Sequence, residues 1–222
     1  MKPVHVVAGG NISKPETKAI DDNQSIVIEW ANQLMKENNF VVLDTETHDK
    51  NNPYPIEISV IDPDGNTLFN QLIKLPEGKK INPEAMAIHG ITPEMIEADG
   101  LYFDEVWKDL KQVLAGRTVI TYNAEFDRDV LFNALPALYH PMPGTWECAM
   151  LKYAEYAGGW NDYHGNYRWH SLTKAAQALG VEITNAHRAL GDAQTTLAVI
   201  KALAAKAYSQ NTNPEDSSDI PF

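Results

Sequence analysis

The feature that most constrains the fold is a short apolar run that leads into two acidic residues. Residues 40–43 (FVVL) are followed by Asp44 and Glu46 in the sequence DTET. An apolar, β-branched run of this length predicts a buried strand, in which residues two apart face the same side. Two carboxylates on one face of a buried strand repel each other unless a cation lies between them. The pair therefore predicts a metal site at the strand end, rather than exposed acids on an edge strand.

The length and composition indicate one α/β domain with short appendages. The chain has 222 residues, of which 44% are hydrophobic and 9% aromatic, enough to bury a sizeable core. Polar residues dominate segment 1–24, and a polar, acidic segment without periodicity occupies residues 209–222. We therefore predict an N-terminal arm (1–24), one domain (25–208) and a disordered acidic tail (209–222).

Cysteine content and hydropathy predict a cytoplasmic protein that does not enter a membrane. Cys148 is the single cysteine, so neither an internal disulfide nor a Cys-rich metal site is possible. The N-terminal apolar run is short and contains His5, which makes it a poor signal peptide. No stretch approaches the roughly 18 consecutive apolar residues of a membrane span.

The net charge of −12 argues against broad, sequence-independent binding to nucleic acid, which requires Lys and Arg. It does not exclude a nuclease. Carboxylates that bind metal count as negative in the formal sum, and bound divalent cations would reverse the sign locally.

Hydrophobic periodicity and turn residues predict strands and helices in a mixed order. Helix-start signals, in which a capping side chain precedes Pro and Glu, lie at residues 82–84 and 92–94. The predicted strands are residues 40–44, 56–62, 66–75 and 117–122, and the further predicted helices are residues 25–38, 103–115, 123–134, 170–179 and 189–207.

Three more residues complete the candidate site. Asp127 lies one turn into the helix that follows strand 117–122, where an isolated acid would be explained by the helix dipole. His187 and Asp192 lie in the sequence HRALGD, and five residues on one helix would place them about 140° apart. If both serve one site, His187 must lie in a loop and Asp192 in the first turn of the next helix. Taken alone, His187 would be interpreted as an exposed loop histidine.

The motif order DxE, NxxFD and HxxxxD resembles the DEDDh (DnaQ-like) 3′→5′ exonucleases, and the resemblance covers about residues 38–207. It implies an α/β fold: a ribonuclease H-like mixed five-stranded sheet, order 3-2-1-4-5, with one antiparallel strand, flanked by helices. It also implies an enzyme that hydrolyses phosphodiesters at 3′ ends and releases nucleoside monophosphates.

The resemblance assigns roles to the acids and the histidine. Asp44, Glu46 and Asp192 would bind a first metal ion, and Asp44 with the scissile phosphate would hold a second. Asp127 would act on the first ion directly or through water, and His187 would take the proton from the attacking water. Oxygen ligands suit two Mg²⁺ or Mn²⁺ ions.

The resemblance also suggests contacts with the 3′-terminal nucleotide. These involve Thr45 and Thr47 of the first motif, and His89 and Ile91 of the loop sequence HGIT. Ile91 would either wedge beside the terminal base or pack on the core, and the sequence leaves both possibilities open.

An aromatic stretch at residues 158–169 has no counterpart in compact members of the family that the chain resembles. Trp160, Tyr163, Tyr167 and Trp169 lie there beside Arg168. Such rings could stack on single-stranded bases or form a lid. Packing in the core is the alternative, and for Trp169 we favour it.

The last residues, PEDSSDIPF, resemble the C-terminal tip of bacterial single-stranded DNA-binding protein. That resemblance implies binding to replication and repair proteins through Asp219, Ile220, Pro221 and Phe222. The alternative is a tail that only increases solubility.

Three functions compete at this point. The leading prediction is an exonuclease acting on the 3′ end of single-stranded DNA. An exonuclease that trims RNA 3′ ends would use the same residues. A third possibility is an interaction or decoy protein that acts through its tail, but the presence of all five catalytic positions disfavours it.

Overall fold

The computed structural model describes residues 22–135 and 142–206. Most of the predicted arm (1–24) and all of the predicted tail (209–222) lie outside these ranges, whereas residues 22–24 begin the first helix. The proposed domain boundaries and the tail residues Asp219, Ile220, Pro221 and Phe222 stay predictions. Within the described ranges, no helix is both long and apolar enough to cross a membrane.

The described chain alternates between strands and helices. The helices are α1 Asp22–Glu37, α2 Pro83–His89, α3 Pro93–Asp99, α4 Phe103–Leu114, α5 Ala124–Ala134, α6 Ala149–Ala157, α7 Leu172–Leu179 and α8 Ala189–Ala205. The strands are β1 Phe40–Thr47, β2 Pro55–Ile61, β3 Thr67–Leu72, β4 Thr118–Thr121, β5 Thr145–Cys148, β6 Trp160–Asn161 and β7 Asn166–Tyr167.

Five strands form one mixed sheet in the order β3-β2-β1-β4-β5. Strand β2 is antiparallel to both β1 and β3, whereas β1, β4 and β5 run parallel to one another. The predicted fold class, with its strand order and its one antiparallel strand, is confirmed. A separate two-stranded hairpin, β6-β7, lies between α6 and α7.

Strand β1 is central because both of its faces are apolar. Phe40 and Val42 pack into one core with α1, α6, α7 and α8. Val41 and Leu43 pack into a second core, on the other face of the sheet, with α4 and α5. A strand buried on both faces reads as a continuous apolar run, which is the pattern seen in the sequence.

Several elements differ from the sequence-based prediction. Strand β3 ends at Leu72 and not at residue 75, and neither α6 nor the β6-β7 hairpin was predicted. Strand β1 continues past Asp44 to Thr47, because residues up to Glu46 pair in register with β2 before a bulge. Strand β5 was not located from the sequence, since prolines and glycines precede it. Gly144 enters β5 at φ 79°, and a Cβ there would lie 2.7 Å from Val119 Cγ2, so a tight glycine turn lets β5 pair with β4.

Truncation of a leucine on β1 tests the central position of this strand. Leu43 is fully buried, so Leu43→Ala should lower the free energy of unfolding by about 2–5 kcal/mol. Leu68 on β3 is 37% exposed, so the matched variant Leu68→Ala should cost less than about 1 kcal/mol. Urea denaturation measures both values, and equal losses would contradict the assignment of β1 as the core strand.

Candidate active site

Three carboxylates from two elements converge at one end of β1. Asp44 and Glu46 lie on the side of β1 that continues from Val42, and Asp192 lies in the first turn of α8. One oxygen atom from each of the three residues lies within 4.8 Å of the other two. The acidic pair and the HRALGD motif are therefore parts of a single site.

Asp127 lies beside this group but is held separately. Its carboxylate is buried in the first turn of α5, and its Oδ1 accepts a hydrogen bond of 2.8 Å from the Thr45 hydroxyl. Thr45 alternates with Asp44 and Glu46 along β1, so its side chain faces α5 instead of α8. The Thr45 side chain thus fixes the position of Asp127, a role the sequence did not indicate.

Burial and mutual repulsion raise the pKa values of these acids. Burial raises the pKa of Glu46 to about 8, and the charges of Asp192 and Glu57 add to the shift. Burial also raises the pKa of Asp127 to about 7, although the hydrogen bond from Thr45 opposes it. The pKa of Asp44 lies well above its ordinary value because of burial and then because of the surrounding carboxylates.

A divalent cation would remove this repulsion. The donor set consists of carboxylate oxygens only, which suits hard ions such as Mg²⁺ or Mn²⁺. Asp44, Glu46 and Asp192 could hold one ion between them, and their close approach fits that use.

His187 lies in the loop that precedes α8, as the helix-phase argument predicted. It adopts a left-handed conformation, with φ 63°, and its side chain is exposed. Its backbone N–H donates to both carboxylate oxygens of Asp192 at 3.3 Å. The backbone of His187 is thus anchored beside the acids, while its imidazole ring is exposed to solvent.

Gly191 allows this loop to lie against α8. A Cβ at this position would stand 2.2 Å from the Asn185 carbonyl oxygen and 2.7 Å from the Thr184 carbonyl oxygen. Both distances are far below van der Waals contact, so any side chain here would push the loop away from the helix. The glycine of HRALGD therefore has a steric role next to His187.

A buried ion pair attaches α8 to the sheet. Glu57 on β2 is 3% exposed and accepts hydrogen bonds from Arg188, including one of 3.0 Å from Nε and another from Nη2. The backbone N–H of Ala189 donates to the same carboxylate at 2.9 Å. Because Glu57 pairs directly opposite Glu46 across the β1–β2 ladder, this contact positions Asp192 relative to the acids of β1.

Sequence reasoning missed the pair of Glu57 and Arg188. Glu57 is the one charged residue in β2, a strand that is buried along its whole length, and a buried acid requires a partner. That signal was available in the sequence. The identity of the partner could not be predicted, since Arg188 lies 131 residues from Glu57 along the chain.

The predicted substrate residues occupy different environments. Thr47 and His89 line a groove of about 170 Å³ together with Glu46 and Ile88. The Nδ1 atom of His89 accepts a hydrogen bond from the Ile91 backbone, while its buried Nε2 atom has no partner among the described residues. Ile91 is fully buried and packs with other apolar side chains, so of the two possibilities the structure shows the core position.

The exonuclease family model, RNase_T, matches residues 41–200, which include every acid of the site. This chain belongs to the RNase_T exonuclease family. The prediction of a phosphodiester-hydrolysing exonuclease is thereby confirmed. Exonucleases of this family generally use divalent metal ions, which agrees with the cluster of Asp44, Glu46 and Asp192.

Two known proteins are similar to the chain over most of its length. An uncharacterized exonuclease, CP81, of Escherichia phage 186 is 35% identical over 181 residues, which cover 76% of this chain and 89% of that protein. The PolC-type DNA polymerase III of Bacillus subtilis is 24% identical over 190 residues, covering 82% of this chain but 12% of the polymerase.

Two solved structures share the fold. Exonuclease X in complex with 5′ overhanging duplex DNA has a TM-score of 0.55 and 28% identity, covering 76% of this chain and 93% of that one. E. coli exonuclease I in complex with a dT13 oligonucleotide has a TM-score of 0.59 and covers 78% of this chain and 43% of that one. Its identity of 21% supports the fold alone.

Removing the arginine of the buried pair tests its structural role. Arg188→Ala should lower the free energy of unfolding by about 1–3 kcal/mol, since it leaves the Glu57 carboxylate buried without its partner. Arg188→Lys should recover only part of the loss, because lysine cannot form the two-pronged contact. Hydrogen exchange in the first turn of α8 should accelerate in both variants.

An exposed ion pair supplies the control for this measurement. Lys50 and Glu84 lie 3.9 Å apart with both side chains more than three-quarters exposed. Lys50→Ala should change stability by less than about 0.5 kcal/mol. A loss of the same size in Arg188→Ala would contradict the assigned role.

Metal binding should stabilise the protein more at high pH than at low pH. Because the pKa of Glu46 is raised from 4.5 to about 8, the metal-free folded state binds protons that the unfolded chain has released between these values. Stability of the metal-free protein therefore falls as pH rises across this window. Mg²⁺ replaces those protons, so its increment in Tm should be larger near pH 8 than near pH 5.

The combined variant Asp44→Asn and Glu46→Gln provides the comparison, since it keeps the shape of the site and removes two charges. Its Tm should not respond to Mg²⁺ at either pH. Equal Mg²⁺ increments at both pH values in the unmodified protein would contradict the electrostatic account.

Proposed function

We propose that the protein removes nucleoside monophosphates from the 3′ end of single-stranded DNA by hydrolysis dependent on two divalent cations. The observation that carries this proposal is the convergence of Asp44, Glu46 and Asp192 within 4.8 Å of one another, beside a histidine loop. Three partly buried carboxylates repel one another, and few functions other than cation binding require them to lie this close.

In this proposal the acids form the fixed part of the site. Asp44, Glu46 and Asp192 would hold the first cation, and Asp44 would also be a ligand of the second. Asp127 contributes a carboxylate from α5, kept in place by the Thr45 hydroxyl. When bound, the two Mg²⁺ or Mn²⁺ ions supply an activated water and stabilise the charge that develops on the leaving 3′ oxygen.

His187 is the proposed general base. A neutral imidazole can accept the proton of the attacking water, and this residue is exposed where water enters. Its backbone N–H bonds to Asp192, which keeps the loop within reach of the acids while leaving the ring free to rotate. The ion pair of Arg188 with the buried Glu57 then fixes where this loop ends and α8 begins.

The groove beside β1 is the proposed site of the terminal nucleotide. Thr47, His89 and Ile88 line it next to Glu46. DNA as the substrate is supported by the similar exonuclease X, which was solved with 5′ overhanging duplex DNA. Single-stranded DNA in place of duplex is part of the proposal that the assay tests. Trimming of RNA is the alternative that the assay must separate.

A labelling assay tests the proposal. Single-stranded DNA, duplex DNA and RNA, each with a 5′ label, are incubated with Mg²⁺, with Mn²⁺ or with EDTA. We expect a 3′→5′ ladder on single-stranded DNA with either metal and none with EDTA. A ladder confined to RNA would replace the proposed substrate, and degradation that persists in EDTA would refute the metal-dependent mechanism.

Single substitutions separate the roles of the residues. Asp44→Asn and Asp192→Asn should abolish nucleotide release, because each removes a ligand charge while preserving shape. His187→Ala should lower kcat by about 10²–10⁴-fold at neutral pH, the usual contribution of a general base. Asp109→Asn, an exposed acid on α4, is the matched control and should not change kcat. An unchanged kcat in the His187→Ala variant would contradict the assignment of His187 as the general base.

A further inference from the structure

One face of the molecule concentrates exposed apolar side chains. Of the ten large hydrophobic residues that are exposed in the described ranges, five lie around the region of α5, α6 and the β6-β7 hairpin. We call this set the aromatic face: Phe132, Leu151, Trp160, Tyr163 and Trp169, which are 50–88% exposed. Phe132, Leu151, Trp160 and Trp169 line two adjoining grooves, and Tyr163 lies on the turn of the hairpin that carries Trp160. Clustered exposed apolar side chains mark a binding site more often than scattered single residues do.

The β6-β7 hairpin presents its rings in a defined arrangement. Trp160 and Tyr167 pair across the two strands with their rings 5.2 Å apart and edge to face. The Asn161 side chain accepts hydrogen bonds from the backbone of Tyr163 and His164, which closes the turn. Tyr163 is therefore held outward on an ordered turn, 88% exposed.

Two grooves connect this hairpin to the active-site edge of the sheet. A groove of about 300 Å³ borders Trp160, and one of about 540 Å³ continues from it, with Leu151 and Trp169 lining both. The larger groove is lined in part by Asn123, which follows the carboxyl end of β4. Because β1 and β4 are parallel, this is the edge at which the acids of β1 lie.

We propose that the aromatic face binds single-stranded DNA on the 5′ side of the scissile nucleotide, with bases stacked on Trp160, Tyr163 and Trp169. The inference rests on the proposed function, since it extends the substrate path away from the same site. Aromatic rings bind unpaired bases regardless of sequence, as an exonuclease that moves along a strand requires. A duplex keeps its bases stacked inside and could not use these rings.

The charges along the path indicate how this binding works. Arg128 is the one basic side chain that lines either groove in the described part of the chain, and Glu125, Asp129 and Glu155 line them as well. Few phosphates can therefore be neutralised here, and stacking carries the affinity. The affinity for single-stranded DNA should accordingly depend only weakly on salt, with a slope near −1 in a double-logarithmic plot.

The test compares two substrates and two kinds of variant. Binding of a fluorescent oligothymidylate in EDTA gives Kd, and steady-state kinetics with Mg²⁺ give KM and kcat for a long oligonucleotide and for a dinucleotide. Trp160→Ala and Tyr163→Ala should each raise Kd and KM for the long substrate about tenfold. Neither should change kcat or the kinetics of the dinucleotide, which cannot reach the hairpin.

Conservative variants and a distant aromatic residue complete the design. Trp160→Phe and Tyr163→Phe retain a ring and should bind the long substrate nearly as well as the unmodified protein. Tyr102→Ala, which removes an exposed tyrosine at the start of α4, should have no effect on Kd. Thermal unfolding identifies any variant that fails to fold, and the Phe variants then carry the comparison.

The outcomes separate this inference from the proposed function. If the unmodified protein degrades the long oligonucleotide but both Ala variants keep its Kd and KM, the aromatic face is not the path of the strand, although the active site stands. An equal loss on the dinucleotide would also overturn the inference, since it would indicate a general structural effect. Absence of metal-dependent cleavage of any nucleic acid would instead refute the proposed function.

Discussion

Repulsion among buried carboxylates is the constraint around which the rest of the structure is arranged. Asp44, Glu46 and Asp192 could not stay ionised in one buried group without compensation, and their raised pKa values express that cost. The fold supplies partial compensation through backbone and side-chain donors, such as the N–H of His187 on Asp192. Protons compensate the rest in the metal-free protein, and a divalent cation held by these acids would replace them.

The sheet makes this arrangement possible because the two faces of β1 contact different helices. Asp44 and Glu46 face α8, whereas Thr45 faces α5 and holds Asp127. Strand β1 therefore has Asp192 of α8 on one side and Asp127 of α5 on the other. A one-residue slip of the register would reverse both sets, and the pairing with β2 and β4 prevents it.

Local geometry made part of the site predictable from the sequence. The two-residue period of a strand placed Asp44 and Glu46 together, and the helix period excluded His187 from the helix of Asp192. Contacts between distant segments were not predictable in this way. The buried pair of Glu57 and Arg188 depends on how α8 approaches β2, and no local period carries that information.

The role of the aromatic stretch likewise depends on tertiary structure, and it bears on how an acidic protein can bind DNA. Composition indicated that rings such as Trp160 and Trp169 were abundant, but only the tertiary structure shows them exposed along two adjoining grooves. Their exposure resolves an apparent conflict. A chain with a net charge of −12 gains little from phosphate neutralisation, so contacts to bases are the interaction left for holding a strand. Stacking would let an acidic protein bind single-stranded DNA, and the metal site would supply the positive charge only where the scissile phosphate lies.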